Sequence, residues 1–293
     1  MPGFAVELDA LLERCTFGDV SGRELVCGLS GGPDSAALVV LACRFAQRSG
    51  TQVAAVHVDH GLRDTGGAEA SHVEALCSRL EVPLRVVHLQ VAPGANLQAR
   101  AREARHDALG PGALLGHTAD DQAETVLLHL LRGGALDALA AMRADRRPLL
   151  NLRRADTERV CELVGYEPLR DPSNVDARFW RSRVRHEAIP LLCDIAGRDV
   201  VPLLARAAAT AAPEADLLDE LAAGIDPTSA AELRAAPPAL ARRAVRAWLR
   251  TSHPPDAATV ERVLEVARHT HRATEVGGGR RVIRSADRLR LEG

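Results

Sequence analysis

The string Ser30-Gly31-Gly32-Pro33-Asp34-Ser35 constrains this chain more than any other feature, because of what flanks it. Before it, residues 24–29 (ELVCGL) form a short apolar run with the length of a buried parallel strand. After it, residues 35–48 (SAALVVLACRFAQR) read as an apolar helix with small residues on one side. A glycine loop between a buried strand and a helix N-terminus lies at the usual ligand crevice of doubly wound sheets. Gly31 and Gly32 let the backbone turn tightly and approach a ligand, and Pro33 stiffens the loop. The remaining N–H groups and the positive helix end favour an anion, and Ser30 and Ser35 add hydroxyls. Asp34 would repel a bare phosphate, a conflict that a bridging Mg²⁺ resolves. A glycine turn capped by Asp or Ser is the plainer alternative. The whole string in this context favours a nucleotide.

The surrounding pattern alternates. Strands are expected at 51–58, 83–91 and 112–117, and helices at 66–80, 96–109 and 120–134. This predicts an α/β fold, a doubly wound parallel sheet, over residues 1–192. Beyond it, alanine-rich helical segments punctuated by Pro213, Pro227, Pro237 and Pro238 predict a second, smaller, mainly helical domain over 193–293, ending in a small hairpin. No run approaches the roughly 18 apolar residues of a membrane span, and the N-terminus lacks the basic-then-apolar pattern of a secretory signal. A cytoplasmic protein is expected. Its six cysteines are scattered without a C-x-x-C pair, so reduced, mostly buried thiols are expected rather than a zinc site.

The basic residues restrict the chemistry further. All 37 are arginines, so no Schiff-base lysine, lysine nucleophile or phosphate-binding loop lysine exists here. Net charge is −2, but residues 143–185 hold 11 arginines against 7 acids, a local excess of +4. Arg178, Arg181, Arg183 and Arg185 accompany Phe179 and Trp180, a combination suited to RNA phosphates and an unpaired base. A charged linker pinned by its aromatics is the alternative. Asp120 and Asp121 are adjacent carboxylates that suit a metal or an amine. Asp121-x-x-Glu124 is equally a helix capping pattern. His57, His60 and His117 fall at strand ends without metal-ligand spacing.

The loop 30–35 resembles the pyrophosphate loop of the PP-loop ATP-pyrophosphatases. Further strings narrow the likeness to the tRNA(Ile)-lysidine synthases. AVHVDHGLR (55–63), the helix 96–109 with Arg102 and Arg105, GHTADDQAETVLLHLLRGG (116–134), RRPLL (146–150), LRDPSN (169–174) and RSRVRHEAIPLL (181–192) all resemble that family's motifs, in order. His106, His129 and Ser182 depart from the usual Tyr, Arg and Asn. The match covers residues 24–192; the remainder resembles the family's short members, which lack an extra C-terminal domain.

The resemblance implies that ATP and Mg²⁺ serve to adenylate the wobble cytidine of tRNA(Ile) with a CAU anticodon, and that free L-lysine then displaces AMP. It implies ATP contacts at Ser30, Gly31, Gly32, Pro33, Asp34, Ser35, His57 and Gly116, with Asp34 also holding Mg²⁺. Catalytic work would fall to Asp34, Arg102 at the α-phosphate, and Asp121 holding and deprotonating the amine. Asp120, Asp121 and Glu124 are the lysine or metal candidates, and Arg147, Arg178, Arg181, Arg183 and Arg185 the tRNA contacts. Two alternatives remain: a tRNA 2-thiolation enzyme, which needs reactive cysteines or a cluster, and a non-catalytic adenine-nucleotide sensor.

Overall fold

The structure, a computed structural model, describes residues 2–18, 24–59, 66–89, 104, 107–169, 180–251 and 255–293. The chain forms two compact units, Met1–Ala209 and Thr210–Gly293, and the division falls inside the helix Val201–Ala223.

In the first unit, strands β1 (Leu25–Gly28), β2 (Val53–Asp59) and β3 (Leu84–His88) pair in parallel in that spatial order. Helices α1 (Pro2–Leu12), α2 (Pro33–Ser49) and α3 (Gly66–Arg79) surround them. Every residue of α2 from Ser35 to Ala42 is buried, as expected of a helix covering a parallel sheet. The main core joins Leu38, Val39 and Leu41 of α2 to Leu25 and Cys27 of β1, Val73 and Leu76 of α3, and Leu149 and Leu152.

The strand expected at 112–117 is reduced to one parallel bridge between Leu114 and Cys27. Leu114 exchanges hydrogen bonds with Val26 and Gly28, at 2.7 and 2.9 Å. Leu115 then donates to the Arg146 carbonyl, which takes the chain off the ladder after a single residue. The bridge still lies on the side of β1 opposite β2. Strand order therefore reverses beside β1, and the crevice of the reversal opens at its C-terminal end, where loop 30–35 begins. The expected helix 96–109 lies mostly outside the described residues; Ala104 and 107–109 are helical.

Two helices complete the site's scaffold: α4 (Ala119–Leu131) and α5 (Arg154–Leu163). A helical turn, Trp180–Arg183, passes through a π-helical stretch, Val184–Ala188, into α6 (Ile189–Ala196).

The second unit packs helices Ala230–Ala235, Pro238–Leu249 and Ala257–Ala267 on an antiparallel sheet, Ala273–Gly277, Arg280–Ser285 and Arg288–Glu292. Its core includes Leu233, Val245, Leu249, Val263, Leu264, Val282 and Leu289. The expected hairpin gains a third strand, because Ala273–Gly277 pairs through a bulge between Glu275 and Gly277. Pro213, expected to break a helix, sits inside Val201–Ala223, which continues through it. No helix among the described residues is long and apolar enough to cross a membrane.

Candidate active site

Loop 30–35 is held from both sides. Gly31 has φ +87°, a conformation L side chains rarely adopt, and a Cβ there would also push on Leu169 Cδ1 at 2.5 Å, so glycine is strongly favoured. Its carbonyl accepts from the Tyr166 hydroxyl and the Leu169 N–H, each at 2.9 Å. The Ser30 N–H donates to Ser35 Oγ at 3.1 Å, and Ser35 Oγ donates to the Gly32 carbonyl at 3.0 Å. Gly32 is the N-cap of α2 and Pro33 follows at its start, and no side chain caps this helix. By contrast Thr118 and Asp121 cap α4 reciprocally. The amides opening α2 thus have no side-chain cap, the arrangement that suits an anion.

Gly116 supports this loop from two residues past the Leu114 bridge. A Cβ there would lie 2.4 Å from the Asp34 carbonyl oxygen, so its hydrogen lets the two segments close together. His57 is buried, with Nδ1 2.8 Å from the Leu29 carbonyl, to which it must donate. It fixes the end of β1 just before the loop.

Asp34 turns inward to a cluster of carboxylates and arginines. Thr157 Oγ1, from α5, lies 2.5 Å from Asp34 Oδ1. Burial raises the Asp34 carboxyl to about 6; Thr157 opposes that, Asp121 adds to it, and Arg154 and Arg185 oppose it. Asp121 Oδ2 accepts from the Thr118 N–H at 2.9 Å and its hydroxyl at 3.1 Å. Asp121 Oδ1 accepts from Arg154 Nη2 at 3.2 Å and Arg181 Nη2 at 3.1 Å. Burial pushes Asp121 up, but the Thr118 amide, Arg154, Arg181 and His117 together hold it below the usual carboxylate range.

The Glu124 side chain is 1% exposed. It accepts from Arg181 Nε at 2.7 Å and from Arg185 Nε and Nη2 at 2.6 and 3.1 Å. Arg154 adds charge 3.7 Å from Glu124 and 3.8 Å from Asp34. Three acids thus face three arginines. Asp120 stands apart: Arg153 Nε and Nη2 grip its carboxylate at 3.1 Å each, and the Arg154 N–H adds a third bond at 2.9 Å. Burial raises Asp120 too, and these donors outweigh it. Among the candidate acids, Asp34, Asp121 and Glu124 come together, and Asp120 serves the start of α5.

The expected RNA arginines separate. Arg181 and Arg185, four residues apart on one face, both turn into the acids. Arg183, between them, points away, pairs with Glu187 at 2.8 Å and is 62% exposed. Arg147 donates to the Arg143 carbonyl at 3.0 Å. Arg102, Arg178 and His60 lie outside the described residues. Among the described residues no group of three or more His, Cys, Asp and Glu could hold a metal.

Sequence reasoning missed Arg154, Thr157 and Tyr166. A signal for the first was present: Arg153 and Arg154 open a helix, where the dipole disfavours cations. Acids facing such a pair offset that cost.

All six thiols are free. Burial pushes Cys15 and Cys161 up to about 12, Cys43 and Cys77 up to about 11, and Cys27 higher still. None of these five is poised as the nucleophile that a thiolation enzyme requires.

Residues 4–192 match the PP-loop domain family, and residues 229–290 match the TilS substrate binding domain. The chain is 43% identical over 238 residues to the tRNA(Ile)-lysidine synthase of Nocardia farcinica, covering 75% of this chain and 74% of that protein. It is 40% identical over 266 residues to the tRNA(Ile)-lysidine synthase of Mycolicibacterium paratuberculosis, covering 85% and 81%. Among solved structures, the U34-tRNA thiolase NcsA of Methanococcus maripaludis aligns with a TM-score of 0.56 at 16% identity. That alignment covers 72% of this chain and 79% of the thiolase, a likeness of fold alone.

Proposed function

This chain belongs to the tRNA(Ile)-lysidine synthase family of PP-loop, ATP-dependent tRNA-modifying ligases, and from that premise we propose that it joins free L-lysine to carbon 2 of the wobble cytidine of tRNA(Ile) with a CAU anticodon. The cytidine carbon-2 oxygen attacks the α-phosphorus of ATP and pyrophosphate leaves, giving an adenylated tRNA. The lysine ε-amine then attacks carbon 2, the carbon–oxygen bond breaks, and AMP leaves with lysidine as product. Residues 193–293 would carry the tRNA-binding part.

The observation that carries this reading is the uncapped start of α2, linked through Asp34 and the Arg154 guanidinium to the Asp121–Glu124 acids. The loop amides would receive the departing pyrophosphate, where negative charge builds. Asp34 suits Mg²⁺, because a desolvated carboxylate is eased by a cation and Mg²⁺ commonly uses one carboxylate plus phosphates. When bound, it would neutralise charge on the phosphates. Asp121 and Glu124 would hold the lysine ammonium, whose pKa of about 10.4 requires loss of a proton before attack. With Arg154 and Arg181 upon it Asp121 is a weak base, so it takes up the ammonium and gains basicity only when one of those cations leaves.

The test is mass analysis of wobble nucleosides after incubating tRNA, ATP, Mg²⁺ and lysine with the protein. Lysidine appears under this reading. A thiolated product, or no AMP and pyrophosphate, would replace it with one of the two alternatives.

A further inference from the structure

The carboxylates assigned to the amine have almost no room for it. A carboxylate offers about four acceptor positions. Asp121 uses its two oxygens for the Thr118 N–H and hydroxyl and for Arg154 and Arg181. Glu124 uses its own for Arg181 and both contacting nitrogens of Arg185. An ammonium carries three donors, and its positive charge would enter a cluster already balanced by three arginines.

The three arginines are not equivalent. Arg185 spans both oxygens of Glu124 and its side chain is 25% exposed. Arg154, at 24%, also donates its backbone N–H to Asp120 at the start of α5. Arg181 is the most exposed, at 40%, and touches one oxygen of each acid. Its departure alone would free a position on both acids, while Arg154 and Arg185 keep Glu124 paired. Phosphate oxygens match a guanidinium fork as a carboxylate does.

We infer that Arg181 is a resident stand-in for the lysine ammonium, occupying Asp121 and Glu124 until phosphate oxygens draw it away. The inference rests on the reading of these two acids as the amine site. Lysine would then enter after the phosphates, and the free enzyme would not hold the amine unproductively. Two phosphate sources are available, ATP and the tRNA backbone.

Equilibrium dialysis of radiolabelled L-lysine against the full chain tests this. The wild type is measured alone, with Mg²⁺ and a non-cleavable ATP analogue, with tRNA, and with both. Lysine binding should tighten about ten- to a hundredfold when phosphates are present, the worth of one charge-assisted hydrogen bond. Tightening by the analogue alone assigns the displacing group to ATP, and by tRNA alone to the RNA backbone. Arg181→Ala should bind lysine tightly without either and gain nothing from them. If Arg181→Ala melts early, Arg181→Gln, which keeps a neutral donor beside Glu124, is put through the same measurement. Wild type binding equally with and without phosphates, or a variant no better than free wild type, overturns the stand-in role. Adding Asp121→Asn to Arg181→Ala should abolish the gain. A gain that persists there leaves the displacement of Arg181 standing and removes Asp121 from the amine site.

Discussion

The Thr157 hydroxyl lies 2.5 Å from Asp34 Oδ1 and 2.8 Å from the Arg154 carbonyl oxygen, fully buried between them. A hydroxyl has one hydrogen to donate, and an ionised carboxylate is the stronger claimant. Thr157 thereby fixes the rotation of Asp34 beneath the nucleotide loop. Thr157→Val should slow pyrophosphate release about tenfold or more, and Thr157→Ser should restore it. Equal rates for all three proteins would reduce Thr157 to packing.

Asp34→Asn should lose pyrophosphate release yet melt higher than wild type at pH 8 in the presence of EDTA. The carboxylate is raised to about 6 by burial, so carrying its charge costs the free protein stability. Asparagine keeps an acceptor for Thr157 and removes that cost, for a gain of about 1–2 kcal/mol. A lower melting temperature would show that the carboxylate stabilises the free protein.

Asp121→Asn should impair lysine transfer more than adenylation, because an amide can still accept from Thr118 but no longer attracts an ammonium. Adenylated tRNA should accumulate when ATP, tRNA and lysine are supplied together. An equal fall in both half-reactions would remove Asp121 from the amine step.

Arg183→Ala and Arg185→Ala should part company. Arg183 is exposed, so its loss should weaken tRNA binding, lower the salt slope by about 0.7–0.9, and leave melting unchanged. Arg185 pairs a buried carboxylate, so its loss should cost about 3 kcal/mol of stability. Matching behaviour of the two in filter binding and melting would contradict their opposite orientations.

In the second unit Asp226 accepts from the Thr228 hydroxyl and N–H and from Arg288, and these lower its carboxyl to about 2. Because the folded value lies below the unfolded one, the stabilisation is present above about pH 4 and is lost as pH falls through 2. Wild type should melt higher than Asp226→Asn at pH 6, and the gap should close near pH 2. A constant gap would mean that the carboxylate charge contributes nothing.

What the sequence made legible was local. Strand β1, the glycine loop and α2 are consecutive, and apolar runs with glycine punctuation identify them without tertiary knowledge. The acids at 120–124 were equally visible, since a capping pattern needs only four residues. Closure of the site was not: Thr157 meets Asp34 across 123 positions, and Arg181 meets Asp121 across 60. Nothing in a local pattern distinguishes an arginine that faces a buried acid from one that faces RNA. Arg181, Arg183 and Arg185 alternate identically in sequence and divide only once a helical turn assigns them to faces. The strand at 112–117 failed for a related reason, because the Arg146 carbonyl that diverts Leu115 comes from a later segment.

The sharing of Glu124 among Arg154, Arg181 and Arg185 also bears on how the family can diverge. A buried acid shared by several guanidinium groups is hard to replace alone, because its loss leaves their charges facing one another without it. Lineages that keep the glutamate should keep the arginines, and lineages that replace it should change several together. The fully buried Glu124 thus ties segments separated by some sixty residues into one unit of inheritance, and correlated substitution at these positions is its expected trace among relatives.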